Sequence, residues 1–525
     1  KEDIMGKKKQ MRSEVKGNVK NSIGRIAFAA LAVLLQIGWI LILMIKLYQY
    51  SSVISLLTSL FALAVALRIY GKHTNAAFKM PWIIVILAFP VFGLCIYGLF
   101  GHKEAMHKII RKFEDVDAQL IPLNVQDETI LQQLEQEDPL LANQCHYIWK
   151  YGNYPVYDTT AVKFYPEAYL GYEEQLKELQ KAKHFIFLEY HAIEEAEAFA
   201  RLKDVLARKA AEGVEVRILY DDVGCIGFLD KSFIDRMNAI GVQCRVFNYV
   251  VPFLNIFMNN RDHRKIMVID GKVGFTGGYN LADEYFNITH PYGYWKDTGV
   301  KLTGRAVQNF TMMFLEMWNY INHSSEDYKQ FMPQVYQKAP FEEDGYVQPY
   351  GDTPLDHETV GENIYLNIIN HAERYVYIFT PYLIIDNEML VSLCNAAKRG
   401  VDVRIVTPGI PDKKMIFLLT QSHYKPLLKC GVKIYQYTPG FIHAKSFLCD
   451  DKIGTVGSIN LDYRSLYLHF ECGVFMYKTK ALMQLKEDCM DTFAASEEMT
   501  LEFCRGQNVF IRIFQGMMRL FAPLL

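Results

Sequence analysis

Residues 263–280 read HRKIMVIDGKVGFTGGYN, and residues 443–460 read HAKSFLCDDKIGTVGSIN. Each stretch starts with a His, followed two residues later by a Lys, seven later by an Asp and seventeen later by an Asn. The paired positions are His263, Lys265, Asp270 and Asn280, then His443, Lys445, Asp450 and Asn460. One such spacing occurs by chance in long chains; two copies that also share their glycines and apolar positions do not. The alternation in IMVID and SFLCD predicts short strands, so the His and the Lys two residues on project from the same face. An imidazole beside an ammonium makes a pocket for an anion. The Lys neutralises a phosphate oxygen, and a His with an ordinary pKa of roughly 6.5 serves as nucleophile or acid near neutrality. The glycines allow tight turns and close approach of a ligand, and each Asn offers an amide donor. Two half-sites facing each other supply one His to attack phosphorus and another to protonate the leaving alcohol.

The repeat extends upstream of the motifs. AKHFIFLEY (182–190) corresponds to AERYVYIFT (372–380), GVEVRIL (213–219) to GVDVRIV (400–406), and GVQCRVFNY (241–249) to GVKIYQYTP (431–439). Each half therefore reads strand, helix, strand, helix, strand, motif. This pattern predicts an α/β fold of helix-covered sheets, present twice in tandem. The boundaries are 148–321 for the first half, 322–360 for a Pro-, Gly- and acid-rich linker, and 361–507 for the second half. The offset between halves drops from 190 to 180, so about ten extra residues lie between Tyr249 and His263. They include the apolar run VVPFLNIFM (250–258), which reads as buried core or as a lipid-facing lip.

Three apolar runs precede the repeats, at 26–45, 52–67 and 81–100. The first is about twenty uncharged residues, long enough for a bilayer core, and Trp82 and Tyr97 sit near the ends of the third as interfacial anchors. The region 26–101 is thus expected to be a transmembrane segment of two or three helices, with Pro90 kinking the last run. Residues 1–25 carry eight Lys/Arg against three Asp/Glu and form a basic, cytoplasmic N-terminus by the positive-inside rule. Lys103, Lys108, Arg111 and Lys112 follow the third run, which keeps that end on the same side. Three full crossings place the catalytic part outside, whereas the second basic cluster asks for an even number, with one run re-entrant or interfacial. Residues 102–147 read as a helical, solvated connector, and 508–525 as an amphipathic C-terminal helix. In that helix Val509, Ile513, Met517 and Leu520 form a stripe suited to the domain surface or, as favoured here, the membrane interface.

Composition narrows the function classes. A net charge of −2 over 525 residues leaves no basic footprint for nucleic acid. Ten scattered cysteines lack C-x-x-C pairs and His-flanked clusters, so neither a zinc site nor a disulfide framework is expected. Intact His and Lys in both copies argue for an enzyme over a membrane-anchored scaffold.

The chain resembles the phospholipase D superfamily, and within it the bacterial cardiolipin synthases, on the paired motifs and on NNRDHRKIMVIDG, FIHAKSF and NLDYRSL. The resemblance implies phosphatidyl transfer between two phosphatidylglycerol molecules, giving cardiolipin and glycerol through a phosphohistidine, without metal or cofactor. It implies His263 as nucleophile, His443 as acid/base, and a carboxylate downstream of each motif to orient a His: Asp297 and Glu471. Lys265, Lys445, Asn280 and Asn460 would hold the phosphoryl oxygens. Asp270 and Asp450 belong to the signature and so count among the catalytic candidates, although each follows its strand in a structural position. Glu189, His191 and Asp222 fall at predicted strand ends and suit loop capping or headgroup contact. A phospholipase D hydrolysing lipid with water, or a synthase with a phosphatidylethanolamine donor, carries the same motifs. The implied location is a bacterial cell membrane, multi-pass.

Overall fold

The computed structural model describes residues 52–101, 106–250, 256–322, 326–336, 341, 344–356 and 358–524, with scattered helical positions between 27 and 42. The apolar run 26–45 and the basic N-terminus fall wholly or largely outside these residues, as do 251–255 of the extra loop.

Each half builds one mixed sheet. In the first, the strand order is Thr160–Tyr165, Gly299–Gly304, Val273–Gly277, Lys265–Ile269, Phe185–Tyr190, Glu215–Asp221, Gln243–Phe247. The last three are parallel and joined by helices Glu197–Ala211 and Phe233–Ala239, as right-handed crossovers demand. The motif strand Lys265–Ile269 enters antiparallel to Phe185–Tyr190 and forms a hairpin with Val273–Gly277. The second half repeats this plan: Tyr346–Asp352, His469–Tyr477, Ile453–Gly457, Ser446–Cys449, Tyr375–Phe379, Asp402–Pro408, Lys433–Tyr437, with Ser496–Glu498 added at the edge. The duplication read from the sequence is therefore a duplication of sheet topology.

The halves share one core. Phe187, Phe247 and Val300 of the first half belong to the same apolar cluster as Leu448, Phe470 and Val474 of the second. Helix Val307–Asn322 is buried along most of its length within that cluster, with Phe314 stacked on Phe187 at 4.4 Å. Side chains on both faces of this helix are apolar, as a helix enclosed by two layers requires.

Two segments assigned to connections are structural instead. Within 322–360, Tyr346–Asp352 forms a strand paired along its whole length with His469–Tyr477. Its sequence, YVQPYGD, hides the strand behind a Pro and a Gly, which an edge position tolerates. Within 102–147, helix His107–Leu120 buries Phe113, Val116 and Leu120 in the shared core, and Phe113 stacks on Tyr320 at 3.9 Å. Helices Glu128–Glu137 and Pro139–Gly152 bury Leu134, Leu141 and Ile148 in the second half's core. The charged faces seen in the sequence are solvated, but the apolar stripes dock on the catalytic body.

Among the described residues no helix is long and apolar enough to cross a membrane. The second run forms helix Ser52–Tyr70. The third is broken at Phe89 into helices Ala76–Ala88 and Pro90–Phe100, which pack on each other. Pro90 does more than kink this run, because as the first residue of a new helix it can leave its missing N–H unused. Gly93 permits the fold-back: a Cβ there would lie 2.4 Å from the Ile86 Cα.

Candidate active site

The two motif strands bring His263, His443, Asn280 and Asn460 to one cleft of about 540 Å³. Local pairing fixes each imidazole. Strand Arg261–Asp262, just before the first motif, pairs with His469 and Phe470, and the His263 N–H donates to the Phe470 carbonyl at 2.8 Å. Strand Gly440–Ile442, just before the second, pairs with Tyr294–Lys296, and the His443 N–H donates to the Lys296 carbonyl at 2.7 Å. The strand leading into each motif is therefore held by the other half.

This exchange decides which carboxylate orients which imidazole. Glu471 follows the second motif but lies 2.8 Å from His263 Nδ1. Asp297 follows the first but lies 2.7 Å from His443 Nδ1. Each carboxylate stands downstream of one motif and serves the His of the opposite half. A carboxylate on Nδ1 holds the proton there and leaves the Nε2 lone pair for chemistry. Glu471 is itself fixed by the Ser458 hydroxyl, and Asp297 by the Thr298 N–H at 2.9 Å. Gly278, at the position equivalent to Ser458, has to stay bare: a Cβ there would meet Asp297 Oδ1 at 2.1 Å.

Lys265 and Lys445 are buried beside the imidazoles, each donating to the carbonyl of its own motif His, and Lys445 Nζ lies 2.8 Å from His443 Nδ1. Burial pushes Lys265 down to about 8 and Lys445 down to about 7, opposed mainly by Glu471 and by Asp297 respectively. Burial and the Lys445 charge push His443 down to about 4, while burial and Lys265 hold His263 well below the usual imidazole range. A neutral imidazole next to concentrated positive charge is what nucleophilic attack on an anionic phosphodiester calls for.

Asn280 and Asn460 both line the cleft. Asn280 donates to the Tyr285 hydroxyl at 2.8 Å and accepts from the Ala192 N–H at 3.2 Å, so its amide is already held within the protein. Asn460 lends its amide to Asp462, and its Oδ1 is buried with no protein hydrogen-bond partner.

Asp270 and Asp450 do not reach the cleft. Each ends its motif strand with positive φ (50° and 53°) and accepts three backbone N–H groups. Asp270 takes those of Lys183, His184 and Phe185, and Asp450 those of Glu373, Arg374 and Tyr375, all within 2.7–2.9 Å. Counted with the catalytic candidates from the signature, they are instead the clasps that tie each motif strand to the start of its neighbour. Asn and Asp tolerate this left-handed turn better than other side-chain-bearing residues.

Glu189 is sealed in the interior with Arg264 Nε at 2.6 Å, and Asp222 accepts the Val250 N–H at 2.7 Å; neither faces the cleft. His191 does, with its ring 4.9 Å from that of His263 and its Nδ1 on the Asp262 carbonyl at 2.7 Å. Sequence reading missed Arg261, Arg464 and His469 in the cleft wall, and Trp295, Phe441 and Tyr285 around His443. Their proximity to the motifs along the chain was a usable signal.

Among the described residues one group could approach a metal ion: His263, His469 and Glu471, with ligand atoms within 4.8 Å of one another. Glu471 is already engaged by His263 and Ser458, and Lys265 and Arg464 surround the group with positive charge, so the donor set fits an orienting relay better than a cation.

A family model described as the cardiolipin synthase, phospholipase D-like domain matches residues 176–318 and 365–491, and one described as the phospholipase D-nuclease N-terminal region matches 59–102. A cardiolipin synthase of Alkalihalophilus pseudofirmus is 32% identical over 90% of this chain and 94% of its own. An uncharacterized protein of Streptococcus mutans is 44% identical over 85% of this chain and 96% of its own. The phosphatidylserine synthase structure of Haemophilus influenzae superposes with a TM-score of 0.51 at 13% identity, covering 69% of this chain and 93% of that one, a likeness of fold. Paired motifs, crossed carboxylates and matches over both halves together place the chain in the cardiolipin synthase family of phospholipase D-like proteins.

Proposed function

We propose that this protein is a phosphatidyltransferase that moves a phosphatidyl group from one phosphatidylglycerol to another, producing cardiolipin and glycerol. The observation that carries the reading is the convergence of two carboxylate-oriented imidazoles on one cleft, each with a buried lysine beside it. One imidazole Nε2, unprotonated, attacks phosphorus as the P–O bond to glycerol breaks; the second imidazole enters this step protonated on Nε2, its charge balanced by its carboxylate and the bound phosphodiester, and delivers that proton to the leaving oxygen. In the second step that imidazole takes the proton from the acceptor hydroxyl, whose oxygen forms the new P–O bond as the P–N bond breaks. By resemblance His263 takes the covalent role and His443 the acid/base role. Lys265, Lys445 and Asn460 hold the charge that builds on the phosphoryl oxygens.

A membrane setting fits the surface. The C-terminal helix Val509–Phe521 turns Gln515 inward, where it donates to the Leu418 carbonyl at 3.0 Å, and leaves Val509, Phe510, Ile513 and Met517 exposed. This is the reverse of ordinary packing and supports the interfacial reading of that helix. Helix Ala76–Ala88, with Met80 and Ile84 exposed, packs beside it, and Ala522 at its end lines the catalytic cleft.

The test is purified protein in liposomes with labelled phosphatidylglycerol alone. Wild type is expected to yield cardiolipin and glycerol, and His263→Ala and His443→Ala to yield neither. Phosphatidic acid in place of cardiolipin makes the protein a hydrolase and rejects the synthase reading.

A further inference from the structure

The two halves are equivalent in fold but not in the charge they bring to the cleft. Register identifies the equivalent positions. Gly277 pairs with Gly299 in the first sheet and Gly457 with Gly473 in the second, so Trp295 and His469 stand at the same place in their strands. Arg261 pairs with His469 as Phe441 pairs with Trp295, so Arg261 and Phe441 are equivalent. Counting four residues from the motif asparagines, Glu284 and Arg464 are equivalent as well. All six line the cleft or ring the His beside it.

At each of these three places the His263 side carries a cation or an imidazole and the His443 side an aromatic ring or an acid. Around His443, Trp295 lies at 5.3 Å and Phe441 at 5.8 Å between ring centroids, and Glu284 and Asp412 share that side of the cleft. Around His263, the His469 ring lies at 5.5 Å, and His469 Nε2 accepts from Arg464 Nε at 3.1 Å, which fixes the guanidinium. Arg261 is buried in the same wall, held by the Asn248 carbonyl at 2.8 Å and by Asp221 at 3.5 Å. Burial holds the Arg464 guanidinium below its ordinary range and Arg261 adds to this, against the pull of Asp462 and Asp221. Two guanidiniums brought to one half-buried cleft wall, beyond the carboxylates that hold them, favour an anionic ligand there. Lys265 and Lys445 already serve one phosphate, so a second anionic group is the chemistry this wall fits.

We propose that Arg261, Arg464 and His469 form a second phosphate subsite, which receives the phosphodiester of the acceptor lipid while the paired His and Lys residues act on the donor. The inference rests on the transferase reading and adds the reason for it: water and simple alcohols carry no phosphate, whereas the phosphatidylglycerol acceptor carries one across a single glycerol unit. The subsite thus biases the second step toward cardiolipin.

The experiment compares acceptors at fixed labelled phosphatidylglycerol, using glycerol 3-phosphate against glycerol and scoring cardiolipin alongside. Wild type is expected to prefer the phosphorylated acceptor by tenfold or more in kcat/KM. Arg464→Gln is expected to erase that preference and lower the ratio of cardiolipin to phosphatidic acid to the same degree, with Arg464→Lys restoring part of both. A circular-dichroism melt checks that each variant is folded, and Arg261→Gln provides an independent variant should Arg464→Gln unfold. A wild type that makes cardiolipin yet shows no preference, or variants in which all products fall in parallel, overturns the subsite. A wild type that prefers glycerol 3-phosphate but forms no cardiolipin keeps the subsite and rejects the synthase reading.

Discussion

At the scale of single residues, the crossed carboxylates make the two half-sites interdependent. Glu471→Gln replaces the carboxylate on His263 Nδ1–H by a neutral amide although it lies in the other half, and Asp297→Asn does the same for His443. Each is expected to lower kcat about 10²- to 10⁴-fold, the range seen when an orienting carboxylate is lost, and rates of transfer from phosphatidylglycerol measure it. Glu471→Gln is further expected to perturb the chemistry of His263 and spare that of His443, as rapid-quench trapping of the covalent intermediate in each variant reports. The lysines set the pH limits. As pH rises through about 7 and then about 8, Lys445 and Lys265 lose the charge that attracts the phosphodiester. As pH falls, His263, held well below the usual imidazole range by burial and Lys265, gains a proton and loses the lone pair that attacks phosphorus. The kcat/KM profile of the free enzyme is therefore expected to hold on the acid side to well below the usual imidazole range and decline above 7. A profile flat through pH 9 contradicts this.

At the scale of elements, the signature aspartates show how a motif can be catalytic in name and structural in part. Lys265 and Asp270 stand at opposite ends of a five-residue strand, separated by about 16 Å at some 3.3 Å per residue. Asp270 spends both oxygens on three N–H groups at the start of Phe185–Tyr190. Asp270→Ala is expected to cost about 2–4 kcal/mol, from a buried carboxylate accepting several bonds and a positive-φ position left to Ala. Asp270→Asn should cost less. Urea titration of both variants distinguishes the clasp from a catalytic role, because a clasp variant that remains folded retains turnover. The spacing announced this Asp but not its duty, since duty depends on which strand end lies alongside it.

At the scale of the whole molecule, the C-terminal helix, helix Ala76–Ala88 and the cleft mouth come together from distant parts of the chain. Asn75 donates to Asp386 at 2.6 Å and to Tyr467 at 3.0 Å, and Phe78 packs edge-on against Tyr463 and Tyr467. Tyr463 in turn lines the cleft. Replacing Phe510, Ile513 and Met517 together by Ser removes three exposed apolar side chains, each worth about 1.5–3 kcal/mol when buried in an apolar phase. The triple variant is expected to lose vesicle-bound substrate turnover by more than tenfold relative to turnover of detergent-dispersed lipid. Equal loss in both assays assigns the helix to folding instead.

The sequence by itself determined the duplication, the helix-covered sheets, the paired His and Lys and the two carboxylates. These depend on short-range periodicity and on a repeat that needs no knowledge of packing. Tertiary structure alone decided that each carboxylate crosses to the opposite His, that the aspartates are clasps, that the connector helices and Tyr346–Asp352 belong to the catalytic body, and that one cleft wall is cationic and the other aromatic. Each of these depends on which strand lies beside which across 75 residues of chain or more. The hydrophobic face and the backbone pairing settle such neighbours only when the two halves close on their shared core.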